Sequence, residues 1–357
     1  MAVRSAPALR PDWAGPVARI LIVDDSVVAR AVIARMIDQG RGYEVAAAVS
    51  DVRAALAFLA QERVDIILLD IEMPGVDGLT ALPDIIAAGG DAKVLVVSSA
   101  CDDGARATIQ ALALGAVDTL VKPGNGSMIG GFAASLEEKL RRLVQDRDKG
   151  GPPVARRAAE PLPGDDFDVV AIGASTGGIH ALSQVLRALP PSFQTPILIT
   201  QHLPESFMPY FAAQVAILAG RPCDVATDHL RLRPGRCVLA PGDAHLRCTR
   251  LADGGAALRL VRTRSTSGCM PSVDPMLASV ADVFGKRALA IVLSGMGRDG
   301  ADGAAKVARA GGSVVVQDQE SSVIWGMPGA VARAGIANAI LPPDEIGRLV
   351  ASQRRPA

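Results

Sequence analysis

The amino-acid sequence predicts an α/β protein built from two doubly wound domains, each with a parallel sheet. Apolar runs alternate with amphipathic stretches through both halves of the chain, which is the pattern of repeated β/α units. A segment rich in Pro and Gly separates the two halves. The chain has 357 residues, a length that favours two hydrophobic cores over one.

The first domain is predicted over residues 18–143, after an N-terminal extension at residues 1–17. Short apolar runs alternate there with segments of helical periodicity, and such alternation predicts a parallel sheet. The strand candidates are Arg19–Val23, Glu44–Val49, Ile66–Leu69, Val94–Ser98 and Thr119–Val121. Helix candidates between them include Ser26–Ile37 and Asp51–Ala60.

Residues 144–166 form the predicted linker, because glycines, prolines and charged residues interrupt the alternation there. The β/α pattern then returns, and we assign residues 167–357 to a second domain. Its strand candidates are Asp168–Ile172, Ile197–Thr200, Arg236–Ala240, Leu258–Val261, Ala288–Leu293 and Ser313–Gln317. We expect an antiparallel edge around residues 236–261.

The composition excludes several classes of protein. Basic and acidic residues number 37 each, and this neutral balance argues against binding to nucleic acid. No apolar run reaches the roughly 18 residues that span a bilayer, and residues 1–17 lack the apolar core of a signal peptide. We therefore expect no membrane insertion. The five cysteines show no C-x-x-C spacing, which argues against a disulfide framework or a zinc site and favours a cytoplasmic protein.

Polar side chains follow the predicted strands of the first domain. They are Asp24 and Asp25 after the first strand, Asp70 after the third, Ser98 at the end of the fourth and Lys122 after the fifth. Because the carboxyl ends of parallel strands share one edge of a sheet, these groups should lie together. Three neighbouring carboxylates require a cation, and oxygen ligands with room for water suit Mg²⁺. The alternative is that the Asp pair only caps the following helix.

These segments resemble the motifs of response-regulator receiver domains. The matching segments are Ile20–Ser26, Leu69–Pro74 with Asp77 and Gly78, and Val121–Pro123. The roles that the resemblance implies are phospho-acceptor for Asp70, Mg²⁺ ligands for Asp24, Asp25, Asp70 and the main chain of Glu72, hydroxyl switch for Ser98 and phosphate sensing for Lys122. One position departs from the pattern. Receivers usually carry an aromatic residue where this chain has Thr119, so we expect the phosphorylation signal to be transmitted differently in this protein.

The second domain contains a glycine-flanked serine, Ser175, in the segment Gly173–Gly177. The apolar run Val169–Ile172 precedes it and the helix-like run Gly178–Leu189 follows it. A strand, a serine between glycines and a helix predict a nucleophile elbow, with the serine beside the positive end of the helix. The segment therefore predicts a hydrolase. A dinucleotide-binding loop is the weaker interpretation, because the G-x-G-x-x-G spacing is missing.

A serine nucleophile needs a base and a group that orients the base. Among the four histidines, His202 directly follows the apolar strand Ile197–Thr200 and should lie at the same sheet edge as Ser175. Asp299 lies on a glycine-rich loop that reaches this edge and is the candidate partner of His202. The alternatives are a helix-capping or packing role for His202, and for Asp299 a turn or a weak cation-binding loop with Asp302.

Two main-chain amides are candidates for an oxyanion hole, one at Thr176 and one at Met296. The order of the three side chains is Ser175, His202, Asp299. In α/β-hydrolases the acid precedes the histidine, so the G-x-S-x-G outline does not place the chain in that superfamily.

The second half of the chain is similar to the catalytic domain of chemotaxis protein-glutamate methylesterases, the CheB family. The matching segments are Ile172–Gly178, Gln201–Pro204, Ala240–Leu246, Pro271–Asp274, Gly295–Gly300 and Gly326–Pro328. The resemblance implies that Ser175 is the nucleophile, His202 the base and Asp299 its partner, with Thr176 and Met296 at the active site. It also implies the order receiver, linker, esterase, with no cofactor for the esterase chemistry.

The resemblance implies a phosphorylation-activated enzyme that hydrolyses γ-glutamyl methyl esters on methyl-accepting chemoreceptors and also deamidates receptor glutamines. The implied phosphodonor is a chemotaxis-type histidine kinase. We expect the receiver to restrict access to Ser175 until Asp70 is phosphorylated. Two other functions stay open: an esterase or amidase with a different substrate, and a phosphorylation-gated binding protein without catalysis.

Overall fold

The computed structural model describes residues 17–98, 102–122, 129–148, 155–156, 161–352 and 354–356. Packing divides the chain into two compact units, one of residues 1–100 with 119–144 and one of residues 101–118 with 145–357. Residues 1–16 of the predicted extension, residues 149–154 and 157–160 of the predicted linker, and Pro123 of the receiver motif lie outside the described residues.

The first sheet has five strands. Their bounds are Ala18–Val23 (β1), Tyr43–Val49 (β2), Ile66–Asp70 (β3), Lys93–Ser98 (β4) and Asp118–Val121 (β5). The strand order is β2-β1-β3-β4-β5, and the registered pairs are parallel. This arrangement confirms the predicted doubly wound sheet. Every residue of β3 is buried, as expected for a central strand covered on both faces.

Five helices accompany these strands along the chain. Their bounds are Val27–Gln39 (α1), Val52–Leu59 (α2), Gly78–Gly89 (α3), Asp102–Leu114 (α4) and Ile129–Asp148 (α5). The Ser26 hydroxyl accepts a hydrogen bond from the Ala29 N–H at 3.2 Å and caps α1. The interpretation of Asp24 and Asp25 as the helix cap is therefore wrong, because Ser26 occupies the cap position.

The second unit contains a seven-stranded sheet. Its strands are Val169–Ala174 (β7), Ile197–Gln201 (β8), Cys223–Val225 (β9), Cys237–Leu239 (β10), Ala288–Val292 (β13), Ser313–Gln317 (β14) and Ala339–Leu341 (β15). The order is β15-β14-β13-β7-β8-β10-β9, and the pairings are parallel. The central strands are buried along their whole length. This burial on both faces explains why their sequences are continuous runs of apolar residues.

Besides α4, whose residues belong to this unit, further described α-helices follow along the chain. Their bounds are Gly178–Arg187 (α6), Met208–Ala219 (α7), Val273–Phe284 (α8), Ala301–Arg309 (α9), Met327–Arg333 (α10) and Pro343–Ala351 (α11). Two further strands, Pro161–Asp166 (β6) and Arg354–Pro356 (β16), pair with each other in antiparallel fashion. The strand β6 lies within the segment predicted as a linker. None of the described helices combines the length and hydropathy required of a membrane-spanning segment.

The expected antiparallel edge needs correction. Residues Cys237–Leu239 lie inside the main sheet and pair in parallel with β8 and β9. The antiparallel pair is separate and consists of His245–Arg250 (β11) and Ala256–Val261 (β12). This hairpin packs against α8, where the Ser279 hydroxyl accepts a hydrogen bond from the Cys248 N–H at 2.8 Å.

Candidate active site

Ser175 lies directly after the last residue of β7, at the turn into α6. Gly177 completes this turn with a φ of 73°, a left-handed conformation that side chains other than glycine rarely adopt. A Cβ atom on Gly177 would also lie 2.4 Å from the Cβ of Val323. The predicted elbow is therefore present, and it requires glycine for both reasons.

His202 lies beside Ser175 because their strands are neighbours in register. Ala174 of β7 pairs with Gln201 of β8. The residues that follow them, Ser175 and His202, therefore lie side by side at the carboxyl edge of the sheet. The His202 N–H donates to the Ala174 carbonyl at 3.2 Å. The Nδ1 atom of His202 is 3.0 Å from the Ser175 hydroxyl oxygen. Only 17% of the His202 side-chain surface is exposed.

The other three histidines have other partners in the described structure. His180 contacts Gln184 within α6. His229 is exposed and lies near Arg259. His245 is buried, and its Nε2 lies 2.8 Å from the Thr263 carbonyl. The placement of the four histidines therefore leaves His202 as the base candidate for Ser175.

Asp299 comes from the glycine-rich loop between β13 and α9, and it is buried. Its Oδ2 atom lies 2.8 Å from Nε2 of His202. The Ser272 hydroxyl donates to Oδ1 at 2.7 Å, and the Val273 N–H donates to Oδ2 at 2.8 Å. The Gly300 N–H also donates to Oδ1, at 3.1 Å. These donors fix the carboxylate in the orientation that faces His202.

The surroundings perturb both members of this ion pair. Burial alone raises the pKa of Asp299, but the hydrogen bonds from His202, Val273 and Ser272 outweigh it and hold that pKa well below its usual range. Burial alone lowers the pKa of His202, but Asp299 and the neighbouring Cys269 thiol raise it to about 9. An ionised Asp299 therefore stabilises positive charge on the imidazole.

The hydrogen-bond partners define the tautomer of the neutral imidazole. Asp299 is an acceptor, so Nε2 of His202 carries the proton and donates to it. The Nδ1 atom then keeps its lone pair and accepts the hydrogen bond from the Ser175 hydroxyl. The arrangement can remove a proton from Ser175 through Nδ1.

The main-chain amides of Thr176 and Met296 are the candidates for an oxyanion hole. In the part of the chain that the structure describes, neither the Thr176 N–H nor the Met296 N–H donates to a protein acceptor. The Ser175 N–H, by contrast, donates to the Ser294 carbonyl at 3.0 Å. Gly295 brings the second loop close, because a Cβ atom there would lie 2.8 Å from the Cβ of Ser175. The two amides are thus available to a negatively charged oxygen.

Comparison with known proteins identifies the family. The CheB methylesterase family profile matches residues 170–350, and the response regulator receiver domain profile matches residues 20–129. The chain belongs to the CheB methylesterase family. The order of the two matches also agrees with the two domains expected from the sequence.

Curated CheB-family relatives resemble this chain over most of its length. The protein-glutamate methylesterase/protein-glutamine glutaminase 2 of Caulobacter vibrioides is 39% identical and covers 94% of this chain and 99% of its own length. The protein-glutamate methylesterase/protein-glutamine glutaminase of Azospirillum brasilense is 38% identical and covers 96% of this chain and 94% of its own length.

A solved structure resembles about half of the chain. The crystal structure of the Thermotoga maritima CheB methylesterase catalytic domain is 33% identical, with a TM-score of 0.51. It covers 52% of this chain and 98% of the solved chain. Its extent agrees with a catalytic domain in the second half of this CheB-family chain.

Several residues of the site were not singled out from the sequence. Ser272 and Val273 orient Asp299, and they lie in the Pro271–Asp274 segment that resembles the family. The buried His245 supports this segment, since its Nδ1 accepts a hydrogen bond from the Ser272 N–H at 2.9 Å. Cys269 had no signal in the sequence. The adjacent His202 holds the pKa of its thiol below the usual range.

The receiver half of this CheB-family chain gathers the predicted acidic residues. One carboxylate oxygen from each of Asp24, Asp25 and Asp70 lies within 4.8 Å of the others. The Lys122 ammonium is 2.7 Å from Oδ2 of Asp70 and 3.1 Å from Oδ2 of Asp24. Burial raises the pKa of Asp70 against the opposing effect of Lys122. The structure therefore brings together the carboxylates and the lysine that the sequence placed at one sheet edge.

The remaining receiver candidates lie on the same edge. Ser98 is buried at the end of β4, and its carbonyl accepts a hydrogen bond from the Lys122 N–H at 2.7 Å. The Glu72 N–H donates to Oδ1 of Asp70 at 3.2 Å. Thr119 is buried within β5. The all-oxygen donor set of the three carboxylates fits a hard cation such as Mg²⁺.

Proposed function

We propose that this protein is a serine-type protein-glutamate methylesterase whose activity is raised by phosphorylation of Asp70. Its substrates are γ-glutamyl methyl esters on methyl-accepting chemoreceptors, and its output is adaptation in chemotaxis or a related chemosensory pathway. The observation that carries the proposal is the placement of His202, whose ring bridges Ser175 at 3.0 Å and Asp299 at 2.8 Å.

The reaction starts with attack of the Ser175 oxygen on the ester carbonyl. Nδ1 of His202 accepts the serine proton as the new C–O bond forms, and Asp299 stabilises the resulting imidazolium. The amides of Thr176 and Met296 donate to the oxyanion of the tetrahedral intermediate. Collapse of the intermediate releases methanol, which takes the proton from Nδ1, and leaves a γ-glutamyl ester on Ser175.

Water completes the cycle. His202 removes a proton from the water as it attacks the acyl-enzyme, and the second tetrahedral intermediate is held by the same two amides. Its collapse returns the proton to the Ser175 oxygen and releases the receptor glutamate with a free carboxylate. Each turnover consumes one water and produces one methanol and one acidic side chain.

Deamidation of receptor glutamines is the second proposed activity, and both curated relatives described above carry this activity in their names. The chemistry needs the same residues, with ammonia in place of methanol. An amide has a poorer leaving group, so protonation of the departing nitrogen by His202 becomes more important. The raised pKa of His202, about 9, suits this step because the imidazolium persists until the proton is needed.

The receiver half supplies the control. In it, Asp24, Asp25, Asp70 and the main chain of Glu72 would hold Mg²⁺, which offsets negative charge on the incoming phosphoryl group. In this proposal Lys122 contacts the phosphoryl oxygens, and Ser98 responds to them. Thr119 replaces the usual aromatic residue, so the signal passes without rotation of an aromatic ring.

The partners follow from the two halves. A chemotaxis-type histidine kinase donates the phosphoryl group, and chemoreceptor helices present the methylated glutamates. The protein works in the cytoplasm, where such a kinase has access to ATP. No nucleic acid and no membrane insertion enter this function.

Peptide mapping of receptors tests the proposal. Methylated receptors from the same source are incubated with the full chain, Mg²⁺ and a small-molecule phosphodonor, and glutamyl methyl esters are quantified by mass spectrometry. We expect the esters to become glutamates with the wild-type protein and to persist with Ser175→Ala.

Two outcomes would contradict the proposal. Unchanged receptor esters in the presence of protein phosphorylated on Asp70 would favour an esterase or amidase with another substrate. Normal chemosensory adaptation in cells that carry only Ser175→Ala would favour a binding protein without catalysis.

A further inference from the structure

We propose that His202, Cys269 and Asp299 form an inhibitory site for a divalent cation of the zinc class. One ligand atom from each of the three side chains, an imidazole nitrogen, the thiol sulfur and a carboxylate oxygen, lies within 4.8 Å of the others. Nitrogen and sulfur donors select Zn²⁺ and similar ions over Mg²⁺. The three ligands come from separate segments of the chain. A search for closely spaced cysteines therefore could not reveal this site, and the cysteine spacing argued against zinc.

Cys269 is the one residue of the proposed metal site that does not belong to the Ser–His–Asp triad. The esterase reaction needs no thiol, since Ser175, His202 and Asp299 account for the proton transfers. The Cys269 sulfur lies beside the His202 ring, and its contact with the Ser267 carbonyl is long, at 3.9 Å. The sulfur is therefore held mainly by the same imidazole that would bind the ion. Cys269 is half-buried, on the loop between β12 and α8, so an ion can approach from solvent.

The fold already orients the ligands. The Cys269 carbonyl accepts a hydrogen bond from the Ser265 hydroxyl at 2.9 Å, and its N–H donates to the Ser267 hydroxyl at 3.3 Å. Asp299 is held by Ser272 and Val273. Outer partners of this kind fix the direction of metal ligands.

The dimensions suit a tetrahedral ion after small side-chain movements. Zn²⁺ bonds of roughly 2.0–2.3 Å place neighbouring ligand atoms about 3.3–3.8 Å apart. The His202–Asp299 separation of 2.8 Å would open to admit the ion. Three protein ligands leave the fourth position for water or for the Ser175 oxygen, so binding is expected to be reversible.

An ion bound to His202 would prevent this residue from acting as the base. An ion on Nε2 of His202 uses the lone pair of that atom and forces the ring proton onto Nδ1, which faces Ser175. A protonated Nδ1 cannot accept the serine proton. An ion on Nδ1 occupies the required lone pair directly. In both cases the thiol gives up its proton to solvent as the metal–sulfur bond forms. Where His202 is an imidazolium, its ring also releases one proton to solvent as the metal–nitrogen bond forms.

The inhibition rests on the proposed esterase function, whereas the metal site does not. Binding is therefore measured separately from activity, on the full chain with excess Mg²⁺ to occupy the receiver carboxylates. Zn²⁺ is titrated by calorimetry. Co²⁺ is titrated by absorption, because a thiolate ligand to Co²⁺ produces a near-ultraviolet charge-transfer band that oxygen ligands do not produce.

Cys269→Ser is the test variant and Cys223→Ser the matched control, because both cysteines are half-buried in the same unit. We expect the charge-transfer band in the wild type and in Cys223→Ser, and its loss in Cys269→Ser. Zinc affinity should fall at least about tenfold in Cys269→Ser, the least that loss of an outer partner usually costs. Circular dichroism verifies that both variants are folded.

The activity measurement then tests inhibition. Zinc should stop methanol release by the wild type and by Cys223→Ser, and a chelator should restore it. Each protein is compared with its own rate of methanol release without metal. The zinc concentration that halves this rate should be at least about tenfold higher for Cys269→Ser than for the wild type. An absent thiolate band, or equal zinc affinity in Cys269→Ser, overturns the metal site. If the wild-type protein shows no methylesterase activity even in the absence of zinc, the proposed function is overturned instead. The binding results still decide whether the metal site exists.

Discussion

The carboxylate of Asp299 accepts hydrogen bonds from His202, from the Ser272 hydroxyl and from three main-chain N–H groups. Each donor stabilises the ionised form, so the carboxylate remains an acceptor for Nε2 of His202. The imidazole then keeps Nδ1 free for Ser175. At the scale of single residues, the reactivity of the serine therefore depends on side chains that never touch the substrate.

Asp299→Asn should reduce the turnover number by about 10⁴-fold, the effect of the same change in a serine protease triad. The amide of asparagine can donate to Nε2 of His202 and stabilise the wrong tautomer. Steady-state methanol release gives the turnover number. A loss of less than about tenfold would mean that Asp299 does not orient the base.

Ser272→Ala should reduce turnover about ten- to a hundredfold, because it removes one of the hydrogen bonds that aim Asp299, and a misplacement of about 1 Å can cost this much. Ser279→Ala is the matched control. Ser279 is also buried on α8, but its hydroxyl bonds Cys248 and Met276 rather than Asp299. The control should lower the midpoint of thermal unfolding without changing turnover. Equal turnover losses in both variants would assign Ser272 a general packing role.

The pH profile of ester hydrolysis reports on His202. The base is active when its imidazole is neutral, and its pKa is raised to about 9. The rate should therefore increase as pH rises through neutrality and level off above about 9. Cys269 is one cause of the raised pKa, so Cys269→Ser should move the midpoint to lower pH in chelator-treated protein. A midpoint that does not move would exclude this thiol as a cause.

At the scale of elements, the site depends on three parallel strands that end at one edge. Ser175 follows β7, His202 follows β8, and the Asp299 loop follows β13, and β7 pairs with both of the others. The apolar runs of these strands made their positions predictable from the sequence to within one or two residues. The rule that parallel strands share a carboxyl edge then placed the serine, histidine and aspartate together.

Other features could not be predicted from periodicity. The strands Cys223–Val225 and Ala339–Leu341 have three residues each, too few to show alternation. The position of Cys269 beside His202 depends on how the loop after β12 folds back, which no local pattern encodes. The same is true of Ser272, whose role becomes visible only when Asp299 is placed.

The elbow gives a prediction about stability. Gly177→Ala would place a Cβ atom 2.4 Å from Val323 and also strain the positive φ of 73°. Gly254 is a matched control, because its φ is 86° but nothing lies within 4 Å of a Cβ there. The free energy of unfolding should fall about 1–3 kcal/mol further in Gly177→Ala than in Gly254→Ala, the usual cost of overpacking. Equal values in urea denaturation would mean that the elbow relaxes without strain.

At the scale of the whole molecule, the chain joins a phosphorylation site to an esterase site. The carboxylates of Asp24, Asp25 and Asp70 gather at the edge of the first sheet, and the serine, histidine and aspartate gather at the equivalent edge of the second. Both sites follow from the same rule of parallel-sheet architecture. In the proposed function, the first site receives the phosphoryl signal, and the second carries out the chemistry that the signal controls.

The central claim is that phosphorylation of Asp70 controls ester hydrolysis at Ser175. The most direct test measures the rate of methanol release from methylated chemoreceptors, with and without a small-molecule phosphodonor and Mg²⁺. We predict that the phosphodonor raises the wild-type rate, leaves Asp70→Asn at its basal rate and produces no methanol from Ser175→Ala. Equal stimulation of wild type and Asp70→Asn, or methanol release by Ser175→Ala, would contradict the claim.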